Sequence, residues 1–200
     1  MPKISGNKVT TSILHNYLRE VEKALVRGNA TEHTHRPALK ELVESITAGI
    51  TATNEPKRIQ CGAPDFIVTR GETPLGYIEA KDVGEPLERI ERSEQMQRYL
   101  ESLSNLSLTD YLEFRWYVGG EPRLTTRLAR VEAQGKLRAE KDGERQAAEL
   151  LTAFLNVQVP TIVSPKELAV RMAALARLIR DTICRALDDR QCIGERTTVV

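Results

Sequence analysis

Cysteine is nearly absent from this chain. The three that occur, Cys61, Cys184 and Cys192, are scattered and odd in number. They form neither a disulfide framework nor a zinc-ligand spacing, and a reducing, cytoplasmic setting is the expectation. An excess of charge of one sign is also lacking: 29 basic residues stand against 28 acidic ones. No overall field therefore draws the chain to a polyanion, and contact with nucleic acid requires a local basic patch or a further domain. Long hydrophobic runs are missing, and the polar N-terminus has no signal-peptide pattern, so no membrane partner is expected. Histidine is scarce. His33 and His35 could ligate a metal, but they read better as surface residues at a helix entry. What remains is enough for a core: 40% of 200 residues are apolar, which suits one domain with an appendage.

Periodicity lays the elements out in order. Ile13, Leu14, Tyr17, Leu18, Val21 and Leu25 recur at helical spacing within 10–27 and stop at Gly28. A second helix is predicted to start near Thr34 to Pro37 and to carry Leu39, Leu42, Val43 and Ile46. Two strands near 58–69 and 75–82 flank the breaker-rich turn Arg70-Gly71-Glu72-Thr73-Pro74. A third helix begins at Pro86, and strands follow around Leu106–Thr109, Leu112–Val118 and Arg123–Val131, with Gly119-Gly120 as a tight turn. This order predicts an α/β fold with a mixed sheet flanked by helices. The expected division is a core at 1–132, a helix and linker at 133–163, a helical spacer at 164–189 and a patternless tail at 190–200. The spacer opens with a capping box and proline, Ser164-Pro165-Lys166-Glu167. Its apolar stripe, Leu168, Met172, Leu175, Ile179, Ile183 and Leu187, must be buried on the core or on something beyond this chain.

The chemistry-bearing residues lie in the predicted hairpin. Asp65 sits in the apolar run Gly62-Ala63-Pro64-Asp65-Phe66-Ile67-Val68, and Glu79 and Lys81 sit in Leu75-Gly76-Tyr77-Ile78-Glu79-Ala80-Lys81. Alternation along a strand puts Glu79 and Lys81 on one face and Ile78 and Ala80 on the other. Two carboxylates and a lysine in apolar strands are costly unless a cation compensates them. Asp65, Glu79 and the Ala80 carbonyl could hold Mg²⁺, a taker of hard oxygen ligands, with Mn²⁺ as a substitute. Lys81 would then orient a water for attack on a phosphodiester. The plain alternative is a turn at Pro64-Asp65 and a solvated, charge-alternating strand face at Glu79-Ala80-Lys81.

The Pro64-Asp65…Glu79-Ala80-Lys81 pattern, with a helix before it, resembles the PD-(D/E)XK nuclease superfamily. Gln95 and Tyr99, four apart on one helix face, resemble the QxxxY motif of its RecB-like branch, whose residues support the active site and contact DNA. Glu32 stands where members often place a further acidic metal ligand. Longer segments, Ala30–Leu39, Asn54–Arg58, Gly76–Asp82 and Leu108–Arg115, are similar to the nuclease region of single-chain type IIG and type ISP restriction–modification enzymes. The resemblance covers roughly residues 10–187. It implies a restriction-endonuclease-like core with a helical spacer and a Mg²⁺-dependent endonuclease acting on double-stranded DNA. It also implies a methyltransferase and target-recognition module in the same or an adjacent chain, and dimerisation for double-strand cleavage.

The group's methyltransferase motifs, Asn/Asp-Pro-Pro-Tyr/Phe and a glycine-rich cofactor loop, do not occur in this chain. No S-adenosylmethionine site is expected here, and the expectation is a fragment, a truncated reading frame or a split subunit. A stand-alone repair or recombination nuclease and an inactive remnant serving as an interaction module remain as alternatives. Glu32 also reads as an acid favoured by a helix N-terminus. Gln95 and Tyr99 also read as a surface glutamine and a core tyrosine.

Overall fold

The structure is a computed structural model that describes residues 7–54, 64–157, 168–170, 172–180 and 183–184. Helix α1 (Asn7–Val26) buries Leu14, Tyr17, Leu18 and Val21 along one stripe. It ends at Gly28, which takes φ 76° and donates its N–H to the Leu25 carbonyl at 2.9 Å, a conformation only glycine adopts cheaply. Helix α2 (Glu32–Ile46) starts earlier than the sequence suggests. The Thr34 hydroxyl accepts from the Thr31 N–H at 3.0 Å and secures the first turn there. Pro37 consequently lies inside the second turn rather than the first.

Six strands form one sheet in sequential order: β1 (Ile50–Asn54), β2 (Phe66–Arg70), β3 (Thr73–Ala80), β4 (Asn105–Thr109), β5 (Glu113–Val118) and β6 (Glu121–Arg127). Every pairing is antiparallel except β3 with β4. A parallel pair needs a crossover, and here it is made by α3 (Leu87–Glu91) and α4 (Glu94–Ser102). Gly119 and Gly120, both at positive φ, join the Val118↔Glu121 pair as the tight turn their sequence predicts. A small hairpin, β7 (Ala129–Val131) with β8 (Leu137–Ala139), leads into α5 (Gly143–Asn156).

Helices cover both faces of the sheet. One core cluster joins Leu14 and Val21 of α1, Leu39 and Val43 of α2, and Leu150 and Phe154 of α5 to Phe66, Ile78, Ala80, Phe114 and Trp116. The other joins Leu87, Met96, Tyr99 and Leu103 to Leu106, Leu108 and Tyr117. Strand alternation divides the two sets, since Phe114 and Trp116 face one way and Tyr117 the other. Each buried leucine or phenylalanine contributes about 1.5–3 kcal/mol. This is an α/β fold with a mixed sheet between helical layers, a restriction-endonuclease-like architecture.

Several elements differ from expectation. Strand β1 was unanticipated: its Ile-Thr-Ala-Thr-Asn is short and largely polar, yet Ile50 and Ala52 are buried and Thr51 and Thr53 are not. The single helix expected after Pro86 is two, because Ser93 leaves helical geometry to cap α4 and accepts from the Met96 N–H at 3.2 Å. The boundary drawn at 132 falls in the β7–β8 hairpin, and α5 beyond it packs into the main core through Leu150, Leu151 and Phe154. In the helical segment after 168, Leu168, Met172, Leu175, Ile179 and Ile183 are exposed, while Ala174 is buried and Leu178 packs on the α3–α4 cluster. The Ser164-Pro165 helix start, the expected strand at 58–63, the tail at 190–200, Cys61 and Cys192 lie outside the described residues.

Candidate active site

The last residues of β3 carry the site. Ile78 and Ala80 point into the α1–α2–α5 core, so alternation sends Glu79 toward the α3–α4 layer. Glu79 is only 4% exposed. Lys81, just past the strand, reaches back to it, with Nζ 2.6 Å from Oε1. The Lys81 N–H donates to the Thr109 carbonyl at 2.8 Å, extending the parallel β3–β4 ladder by one residue and holding the lysine backbone. Asp65 immediately precedes β2, one step beyond the Phe66↔Ile78 pair, and is therefore level with Glu79. Its Oδ2 accepts the Ala80 N–H at 2.8 Å. The solvated, charge-alternating face is not what forms. Both carboxylates are largely buried, at 14% side-chain exposure for Asp65 and 5% for Glu79.

Helix α4 closes the site from above. The Gln95 amide donates to the Tyr99 hydroxyl at 2.9 Å, which realises their four-residue spacing. Tyr99 is 1% exposed. Burial pushes its phenol well above the usual tyrosine range, and the Glu79 and Asp65 charges push it further. A cavity of about 10 Å³ is lined by Glu79, Lys81, Gln95 and Tyr99, with Ile90, Ser93 and Met96. That is roughly room for one water. A larger cavity of about 320 Å³, between α1 and α2, is lined by Ile13, Tyr17 and Leu42 among others and holds none of these residues.

Two supports were not singled out from the sequence. Asp110, 5% exposed, accepts from the N–H groups of Leu112, Glu113 and Gly84 at 3.0, 2.6 and 3.2 Å. It thereby ties the β4–β5 turn to the loop that follows Lys81. Burial raises its carboxyl, opposed by those three donors. The signal was legible, since Asp-Tyr breaking an apolar run is an Asx-type turn, and Tyr111 does take φ 71°. Arg36 of α2 forms an ion pair with Asp65 Oδ1 and donates to Asn54 Oδ1 at 3.3 Å. Its side chain is 6% exposed, and nothing in helix periodicity marks a buried arginine. His33 is exposed as expected, but His35 is 2% exposed and tilts against Tyr111 at 5.1 Å, with burial lowering its pKa. Glu32 is the first residue of α2, and its side chain lies outside the described part of the structure.

Among the described residues no three His, Cys, Asp or Glu side chains gather as a metal cluster. The donor set is two carboxylates at neighbouring register positions, of which Glu79 is paired with Lys81 and Asp65 with Arg36. Hard oxygens in that small number fit Mg²⁺, which keeps much of its water shell, better than they fit zinc.

No family model matches the chain, and no curated protein matches it. Among solved structures it is similar to a chain in a cryo-electron-microscopy structure of a DrdV–DNA complex, at 18% identity and a TM-score of 0.56. The match covers 75% of this chain and 14% of that one, so this chain corresponds to a small part of the neighbour. The likeness is one of fold. No helix among the described residues is long and apolar enough to cross a membrane.

Proposed function

We propose that the chain is a Mg²⁺-dependent DNA endonuclease domain of a restriction–modification system. The observation that carries the reading is the Lys81–Glu79 ion pair beside Asp65, buried at the end of β3 beneath Gln95 and Tyr99. The shared fold with a DNA-bound neighbour supports it. In this reading Asp65, Glu79 and the Ala80 carbonyl hold the cation, with Glu32 as a further ligand and Mn²⁺ as a substitute. When bound, the cation would polarise a phosphate oxygen and lower the pKa of water.

The protein's own contribution follows from its geometry. Lys81 is held at its backbone by Thr109 and at its ammonium by Glu79. It orients the attacking water and offsets negative charge that builds on the phosphate. Gln95 and Tyr99 form the wall that keeps Glu79 out of bulk water. Target recognition and methylation belong, in this proposal, to a module outside these residues, and cutting both strands takes two copies.

The test is nicking of supercoiled plasmid by the purified protein. Nicking is expected with Mg²⁺ or Mn²⁺ and not with chelator. Lys81→Ala and Asp65→Asn should each lower it by roughly 10²-fold or more. Undiminished nicking in either variant overturns the assignment. A strong preference for branched over duplex DNA would move the protein to repair or recombination.

A further inference from the structure

The charges of α3 are sorted by sign. Glu88 and Glu91, three apart and so on one stripe of the helix, both turn to Arg115 of β5. The Tyr117 hydroxyl also donates to Glu91. Arg89 and the capping residue Arg92, likewise three apart, are exposed. The acid one turn before Arg92 is Glu88, and the sheet already engages it. Glu85, half-buried just before α3, pairs with neither arginine. Among the described residues no carboxylate pairs with the Arg89 or Arg92 side chain.

These arginines border the candidate active site. Ile90 and Ser93 line its small cavity together with Glu79, Lys81, Gln95 and Tyr99. Arg89 and Arg92 each immediately precede one of those two residues, and their exposure places them at the rim. Arg98 of α4 stands beside Tyr99, where its charge opposes the rise that burial imposes on the phenol. Its own ion pair with Glu94 is 3.9 Å long, and Glu94 is 92% exposed. A pair of that kind holds little. Three guanidinium groups with little or no counter-charge therefore stand around one site. The whole chain carries a formal charge of only +1, so attraction to a polyanion has to be local. Arginine's paired N–H donors match a phosphate.

Resting on the nuclease reading above, we propose that Arg89, Arg92 and Arg98 form the surface that takes the sugar–phosphate backbone of DNA beside the bond to be cut. Lys81 and its carboxylates address one phosphodiester, and the three arginines hold its neighbours along the backbone. Contacts of this kind position the duplex and read no base sequence.

The test is binding of a fluorescein-labelled duplex of arbitrary sequence, followed by anisotropy with chelator present so that nothing is cut. Log affinity is plotted against log salt between about 50 and 200 mM. Arg89→Gln with Arg92→Gln should flatten the slope by about 2, since each phosphate contact contributes about 0.9. Adding Arg98→Gln should flatten it by about one more. Affinity should fall by roughly tenfold or more at the low-salt end, alike for unrelated sequences. The control removes the same charge elsewhere: Arg27→Gln with Arg123→Gln, exposed residues after α1 and on β6, should keep the wild-type slope. A wild-type slope in the Arg89 and Arg92 variant overturns the proposal, and wild-type nicking of plasmid then leaves the nuclease reading standing. A control that flattens as much as the variant also overturns it, since the attraction is then one of net charge. The two arginines would then serve only the C-terminal end of α3. If wild type neither binds the duplex nor nicks plasmid, the nuclease reading fails and this proposal falls with it. Nicking without salt-dependent binding overturns the proposal alone.

Discussion

Gly76, midway along β3, has no room for one more carbon. A Cβ there would sit 2.5 Å from the Asn105 amide nitrogen and 2.8 Å from a Phe154 ring carbon. Asn105 cannot move freely. Its amide donates to the Leu75 and Phe154 carbonyls at 2.8 and 3.0 Å and accepts from the Trp116 indole at 2.7 Å. One side chain thus locks β3, β5 and α5 together. Gly76→Ala is expected to destabilise the protein by about 1–3 kcal/mol, as overpacking does, read as a lower urea midpoint at unchanged slope. Tyr99 is a second case. Tyr99→Phe keeps the ring and removes the acceptor of the Gln95 amide, at a cost of about 1 kcal/mol. Nicking should fall far less than in Lys81→Ala, since the phenol is neutral and walls the site. A loss as deep as that of Lys81→Ala in the plasmid assay would make the hydroxyl a participant in the chemistry.

Between elements, α3 is fastened to the sheet by charge. Arg115 of β5, 9% exposed, pairs with Glu113 on its own strand and with Glu88 and Glu91 of α3. Arg127 of β6 also reaches Glu113, and the Tyr117 hydroxyl donates to Glu91. Because α3 leads directly into α4, this network sets where Gln95 and Tyr99 stand. Arg115→Met should cost roughly 3–5 kcal/mol, the penalty of stranding a buried carboxylate. Arg127, half-exposed, makes the lower end the better figure. Hydrogen exchange should speed up in α3 and α4 before it does in α1 or α2; uniform protection would refute the fastening. This network also shows where sequence reading stops. Alternation alone put Glu79 and Lys81 on one face, and the four-residue step paired Gln95 with Tyr99, because both follow from backbone period. Strand β1 escaped, since threonine and asparagine blur a five-residue pattern, though Ile50 and Ala52 do alternate. The break at Ser93 escaped because apolar spacing runs on across it. Arg36 escaped for another reason: its partner Asp65 is distant in sequence, and only the folded chain brings them together.

Across the whole molecule, the scarce aromatics are spent inside. Tyr17 lies in the α1–α2–α5 core, where it donates to the Tyr111 carbonyl at 2.8 Å. Tyr77, Tyr99 and Tyr117 lie on the opposite face. Burial raises the pKa of all four above the ordinary 10.0, and Glu91 adds to the rise at Tyr117. Both layers of the fold therefore rest on neutral phenols. Below pH 10.0 the folded and unfolded chains hold these protons alike, and no stability is lost. Above it the unfolded chain releases them while the folded chain does not, so each phenol lowers stability by about 1.4 kcal/mol per pH unit. With several acting together and total stabilities of about 5–15 kcal/mol, the fold should fail within a narrow alkaline window. Ultraviolet tyrosinate absorbance and far-ultraviolet circular dichroism, followed on one titration, should change together in a single steep step above pH 10.0. A gradual rise in tyrosinate with helix signal intact would mean that the phenols titrate in the folded state and that the two layers are not closed around them.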